Sequence, residues 1–249
     1  MKLYFNGCSF TYGDELKNPQ QSAWPTLVAS CLKCDFLNDA VLGGTNDRIM
    51  YNTIQNINNY DCFFIAWTWY TRFTEYNPVD NFEINFNPTL NLDATIHFSD
   101  DLKKNYSKYQ DYGQMYYANW YNDLFEFKKW LQQIVLLQSF FKQHKKTYLM
   151  LNASNNNLTV WLQSKDCFVD STKHLLTFFD YLNDDQLLSE HDQIQELASM
   201  IDLSTFVEWP SWSIAELSSD YKRGPGGHIL EDGHQEVATQ VLKCYNNLT

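Results

Sequence analysis

The run Asp61-Cys-Phe-Phe-Ile-Ala-Trp67 limits what this chain can become more than any other segment. It is too short for a buried helix and has no polar residue at alternate positions. A continuous apolar run of this length predicts a strand covered on both faces. Lys2-Leu-Tyr-Phe-Asn6 and Lys146-Thr-Tyr-Leu-Met-Leu-Asn152 have the same character, and Cys34-Asp-Phe-Leu-Asn38 reads as a further strand. Helical spacing fills the intervals. Trp24 to Leu32 predicts a helix with Pro25 in its first turn. Asp47 to about Asn58 predicts another, capped by Thr45 or Asn46, with Asp47 in the positive first turn. Asn119 to Lys145 and Glu231 to Asn246 carry longer helical patterns.

Strands alternating with helices imply right-handed crossovers and a parallel sheet with helices on both faces. The 249 residues suit one large α/β domain. From about 77 to 116 the pattern dissolves into Asn, Asp, Pro and Tyr, which predicts an irregular insertion over the sheet edge. Between Ala153 and Met200 only helical pieces at Leu175–Leu182 and Asp192–Met200 are readable, with a short fifth strand expected near Thr205-Phe-Val207.

Charge narrows the partners. A formal charge of −12 repels phosphate backbones and anionic lipid, so neither nucleic acid nor membrane is expected as a partner. A neutral sugar or a small ester meets no such barrier. The N-terminal apolar stretch is too short for a signal-peptide core, and no run approaches the roughly 18 apolar residues of a membrane span. The expected location is therefore a cytoplasm, or a virion or host cytoplasm if a phage encodes the chain. Among the six cysteines only Cys31 and Cys34 form a C-x-x-C pair. It closes a helix instead of opening one, and no second pair completes a zinc site, so reduced thiols and no metal are expected.

In sheets of this kind ligands bind beyond the carboxyl ends of the strands. Three blocks fall there: Gly7-Cys-Ser9-Phe-Thr-Tyr-Gly13 after the first strand, Asn38 through Thr45 after the second, and Gly226-Gly-His228 through His234 before the last helix. At these residues the chain resembles the SGNH (GDSL-type) hydrolases. Gly7-Cys8-Ser9 is similar to their Gly-Asp-Ser block, and Asn38 to Thr45 follows their Asn-x-Gly/Ala-x-x-Gly-x-Thr/Ser spacing. His228, Gly233, His234 and Ala238 resemble their last block. Gly7 to Leu16, Trp24-Pro25 and Trp67-Thr68…Arg72…Glu75 look like a subset common in marine bacteria and their phages.

The resemblance implies a three-layer αβα sandwich around a five-stranded, flavodoxin-like parallel sheet. It also implies a serine esterase or deacetylase acting on an acylated carbohydrate or small ester, with no cofactor. Ser9 would be the nucleophile and His228 its base. The oxyanion would be held by the amides of Ser9 and Gly43, with Gly43 letting the backbone approach closely. The family's third donor, an Asn after strand three, is missing, leaving Thr68 or Asn46 in its place.

The acid is a second departure. Where the family carries an Asp just before the His, this chain has Pro225 and Gly226. Asp220 serves only if its loop folds back, and a shifted reading makes Glu231 and His234 the acid and base. Trp67, Arg72 and Glu75 are candidate substrate contacts, although Arg72 and Glu75 at i, i+3 can equally pair with each other. Trp67, Trp69, Tyr70 and Phe73 suit either a sugar face or the core. Asp14-Glu15 reads as the start of a helix or the cover of a loop. Two other readings are a binding or structural module that has lost turnover, and a flavodoxin-like phosphate loop built on Ser9 and Thr11.

Overall fold

The computed structural model describes residues 1–77, 82–86, 111–156 and 184–248. The elements in chain order are β1 (Lys2–Asn6), α1 (Ser9–Tyr12), α2 (Pro19–Ser22), α3 (Trp24–Leu32), β2 (Asp35–Asn38), α4 (Asn46–Gln55) and β3 (Cys62–Trp67). They continue with β4 (Phe73–Asn77), β5 (Phe82–Phe86), a helix α5 over 111–119, α6 (Asp123–Gln143), β6 (Thr147–Asn152), α7 (Asp184–Ser199) and α8 (Glu231–Asn246).

β1, β2, β3 and β6 form a parallel sheet in the order β2-β1-β3-β6, the first four positions of the flavodoxin-like arrangement. Register runs from Leu3 opposite Cys62 to Asn6 opposite Ile65, and from Cys62 opposite Thr147 to Trp67 opposite Asn152. Strand periodicity divides the core cleanly. Tyr4, Phe63, Ile65, Trp67, Tyr148 and Met150 face one layer with Ile49 of α4, Trp130 and Ile134 of α6 and Ile194 of α7. Leu3, Phe5, Phe64, Ala66, Leu149 and Leu151 face the other, with Trp24 and Val28 of α3 and Val237 and Val241 of α8. The fold is thus three-layered, helices on both sides of a parallel sheet.

Two expectations about the sheet need correction. A fifth strand does not form among the described residues: Phe206 makes an isolated parallel bridge to Met150, and Val207 N–H donates to the Met150 carbonyl at 2.8 Å. A 3-10 turn over Leu203–Thr205 precedes it and Pro210, which has no N–H to give a ladder, follows closely. The segment expected to be irregular from about 77 begins instead inside an antiparallel hairpin, β4 with β5, whose Phe73 and Phe86 rings stack at 4.7 Å. The helical piece expected at Leu175–Leu182 lies outside the described residues.

His234 belongs to this scaffold. It sits in the first turn of α8, fully buried, and its Nδ1 accepts the Trp24 amide at 3.1 Å, tying α8 to the start of α3. Its Nε2 has no partner among the described residues. Burial, with the nearby His228 adding to it, pushes the His234 pKa down to about 4 from 6.5. The unfolded chain therefore takes up a proton between pH 6.5 and 4 that the folded chain refuses, so this contribution is complete above 6.5 and lost as pH falls toward 4. The shift corresponds to about 3 kcal/mol. Urea unfolding of His234→Asn, whose side-chain oxygen can still take the Trp24 N–H, should show a distinctly shallower loss of stability between pH 7 and 4.5 than wild type. Equal slopes would mean that His234 is not buried in its neutral form.

Candidate active site

Ser9 is the first residue of α1, directly beyond β1, and is 7% exposed. Two features of the turn place it there. Gly7 is required because a Cβ would fall 2.3 Å from Thr11 Oγ1, and Gly13 closes the four-residue helix in the left-handed region at φ +89°. Asn6 braces the turn from below, accepting the Gly7 amide on Oδ1 at 2.8 Å and donating to the Ile49 carbonyl at 3.2 Å.

His228 reaches Ser9 from the other end of the chain. Its Nε2 is 2.8 Å from Ser9 Oγ, and its Nδ1 is 3.0 Å from Oε2 of Glu15. The same carboxylate accepts the Gly226 amide at 2.6 Å and the His228 amide at 2.9 Å. Serine, imidazole and carboxylate therefore stand in one hydrogen-bonded line. Burial raises the Glu15 pKa, but the two amides and the imidazole more than offset it and hold the carboxyl below its usual range. At neutral pH Glu15 is ionised and accepts a hydrogen bond from Nδ1–H, which leaves Nε2 as the acceptor facing Ser9.

The carboxylate that meets the His228 ring is none of the expected ones. Glu15 lies six residues after Ser9, in the left-handed region at φ +67°, a conformation that turns its side chain back under the His228 loop. Asp220 is exposed at the end of a 3-10 turn and Glu231 is exposed at the start of α8; neither contacts the His228 ring. The shifted pair of Glu231 and His234 fails for the same reason, since His234 Nδ1 is occupied by Trp24. One signal did exist: the glycines just before His228. A Cβ on Gly224 would lie 2.6 Å from the Glu15 carboxyl and one on Gly226 3.1 Å away, so a side chain at Gly224 would displace the carboxyl from its present position and one at Gly226 would crowd it. Asp14 is the next nearest carboxylate, 3.7 Å from Nδ1.

Across from Ser9 runs the turn after β2. Asn38 anchors it, donating to the Thr11 carbonyl at 3.0 Å, and Thr45 caps α4 by accepting the Arg48 amide at 3.2 Å. The amides of Ser9 and Gly43 donate to no other group among the described residues. The roles of the paired glycines differ from expectation. Gly43 has open space where a Cβ would stand and is needed for its φ of +67°. Gly44 makes the close approach: a Cβ there would be 2.8 Å from the Gly7 carbonyl oxygen.

Neither substitute for the missing donor is unengaged. Asn46 clamps the backbone of Thr68, accepting its N–H at 2.9 Å and donating to its carbonyl at 3.1 Å, and Asn156 donates to that carbonyl at 3.0 Å. The Thr68 hydroxyl accepts Arg72 Nη1 at 3.1 Å. Sequence reasoning missed Asn156, which follows the less readable end of β6. Trp67 is fully buried in the core with its indole N–H on Met150 Sδ, so it is a packing residue and not a sugar platform. Trp69 is only partly buried and its ring meets Phe10 at 6.0 Å; Phe10 in turn meets the His228 ring at 4.8 Å. Arg72 and Glu75 do not pair: Glu75 is exposed and accepts the Tyr112 hydroxyl at 3.1 Å.

No group of three or more metal-ligating side chains occurs among the described residues, and no described helix is long and apolar enough to cross a membrane. Cys31 and Cys34 are unbridged.

Comparison with solved structures finds several esterases at low identity, with TM-scores under 0.5. A psychrotrophic esterase from Pseudoalteromonas, inhibited by monoethylphosphonate, is 9% identical with a TM-score of 0.47, over 99% of this chain and 97% of that one. A G-D-S-L family lipolytic protein from Veillonella parvula is 13% identical at 0.43, over 97% and 96%. A catalytic mutant of an acetylxylan esterase from Geobacillus stearothermophilus is 14% identical at 0.45, over 98% and 93%. No curated protein matches the chain at a significant level. A profile defined only as a family of unknown function (DUF6071) matches residues 14–173, more than half of the sequence, and the chain belongs to that family.

Proposed function

We propose that this protein is a serine esterase or deacetylase of SGNH type, acting on an acylated carbohydrate or a similar small ester through an acyl-enzyme. The observation that carries the reading is the continuous line Ser9 Oγ–His228 Nε2, His228 Nδ1–Glu15 Oε2. A serine hydroxyl is a weak nucleophile until a base takes its proton, and the base must present its unprotonated nitrogen to the hydroxyl. Glu15 fixes that tautomer and would stabilise the imidazolium formed as Ser9 attacks the acyl carbon. The vacant amides of Ser9 and Gly43 are suited to the developing oxyanion. His228 would then protonate the departing alkoxide, and a water activated by the same imidazole would release the acyl group and restore Ser9.

The degenerate-module reading has two grounds, Thr68 in place of the family's Asn and the absent Asp before His228, and Glu15 bears on the second. Glu15 removes that argument by supplying a carboxylate from elsewhere in the sequence. No residue in this scheme calls for a metal or cofactor. The expected substrate remains a neutral or small ester and not a nucleic acid.

A fluorophosphonate probe tests the scheme without knowledge of the substrate. It should label wild-type protein at Ser9, and His228→Ala should abolish labelling. Glu15→Gln should slow labelling by about 10³- to 10⁴-fold, as expected for loss of a triad acid, while Asp220→Asn stays close to wild type. Dependence on Asp220 in place of Glu15 would overturn the assignment. Gly224→Ala is a steric test of the same claim. Its new methyl displaces the Glu15 carboxyl, so labelling should fall by at least about tenfold with an unchanged circular dichroism spectrum. Unimpaired labelling would mean that the Glu15 contact is dispensable.

A further inference from the structure

Arg72 is a buried cation in an acidic chain. Arg48 has an ion pair with Asp39 at 3.4 Å, whereas Arg72 has no carboxylate within ion-pair distance among the described residues. A guanidinium has five N–H donors. In Arg72, Nη1 donates to the Gly44 carbonyl at 3.3 Å and the Thr68 hydroxyl at 3.1 Å, and the Cys8 thiol adds a further side-chain hydrogen bond. No oxygen acceptor among the described residues meets Nη2 or Nε.

The group is nonetheless held firmly. Its Cζ lies 4.5 Å over the Trp69 ring, and the Cys8 thiol lies against it. Burial works against its charge and lowers its pKa. A partly desolvated, immobilised cation met only by carbonyl, hydroxyl and thiol groups is costly unless an anion arrives to meet it. The planar edge formed by Nε and Nη2 is matched to a carboxylate, which it can take with two parallel hydrogen bonds.

Its place in the fold connects it to Ser9. The carbonyl it holds belongs to Gly44, which packs against Gly7 and Cys8, the residues just before the serine. The ring under it, Trp69, continues through Phe10 to the His228 imidazole. Guanidinium and imidazole thus line one aromatic wall.

We propose that Arg72 is a specificity residue that binds a carboxylate carried by the substrate near the scissile ester. This rests on the reading of Ser9 as the nucleophile. The ester would be a half-ester of a dicarboxylic acid, or an acyl group on an acidic sugar or other acidic alcohol. An acidic protein would otherwise repel such a molecule, and a buried guanidinium that no carboxylate neutralises is what lets it enter.

Three chromogenic or fluorogenic esters make the test: a neutral 4-nitrophenyl acetate, 4-nitrophenyl hemisuccinate with the carboxylate on the acyl side, and 4-acetoxybenzoate with it on the alcohol side. Wild type should prefer one of the two carboxylate esters over the neutral one by about 10- to 100-fold in kcat/KM, the range of one charge-assisted pair. Arg72→Gln should bring that ratio close to one, chiefly through KM, and Arg72→Lys should restore part of it. Fluorophosphonate labelling of Ser9 in the same samples shows whether the site is intact in each variant. Equal losses on neutral and anionic esters would overturn the proposal and make Arg72 an oxyanion donor or a brace. So would a wild type that labels at Ser9 yet shows no preference. Absence of both labelling and turnover in wild type would sink the esterase reading itself, and this proposal with it.

Discussion

The site depends on one carboxylate. Glu15 accepts two backbone amides and an imidazole from a loop more than two hundred residues away, and so binds the nucleophile turn to the segment that precedes the last helix. The Gly224–Gly227 stretch closes on itself, Gly224 N–H donating to the His228 carbonyl at 2.9 Å and Gly227 N–H to the Gly224 carbonyl at 3.0 Å, and Glu15 ties this turn to the segment after α1. The φ of +67° at Glu15 is the local cost of that contact. Strain of this kind persists only where the surroundings over-determine it, and here three hydrogen bonds do so. Charge-assisted bonds to an ionised acceptor are among the stronger ones a protein can form.

Around this contact the fold does what a parallel sheet makes natural. β1 and β2 end on the same side, so their following turns meet, and Gly44 lets them meet at van der Waals distance. β3 contributes the third wall. There the backbone of Thr68 is gripped by Asn46 from α4 and by Asn156 from beyond β6, three strand ends joined through one residue. His234 fixes α8 to α3 behind the site, so that the loop leading into α8 starts from a rigid platform. Rigid support of this type is what gives a loop-borne imidazole a defined position.

Much of this was legible in the sequence, and the reason is periodicity. The apolar runs of β1, β3 and β6 and the helical spacing of α3, α4, α6 and α8 report burial directly, and their observed limits fall within a few residues of expectation. That Ser9 and His228 would stand close together was legible because strand-end turns are where α/β sheets hold ligands. The acid was not. Its partner is remote in sequence, and its role follows from a left-handed residue and from glycines whose missing Cβ atoms leave room for it, neither of which has a periodic signature. Trp67 was misplaced for a related reason: an aromatic at the end of a buried strand looks the same whether it faces a pocket or the core. The fifth strand failed because one apolar dipeptide, Phe206-Val207, can bridge a sheet edge without extending into a ladder.

The central claim is that Glu15 sets the tautomer of His228, and nitrogen-resolved NMR of that imidazole tests it most directly. At a pH where the ring is neutral, the account predicts a proton on Nδ1, shifted far downfield by the carboxylate, and none on Nε2. In Glu15→Gln the downfield signal should disappear. A wild-type ring protonated on Nε2, or an Nδ1 proton indifferent to Glu15→Gln, would contradict the account.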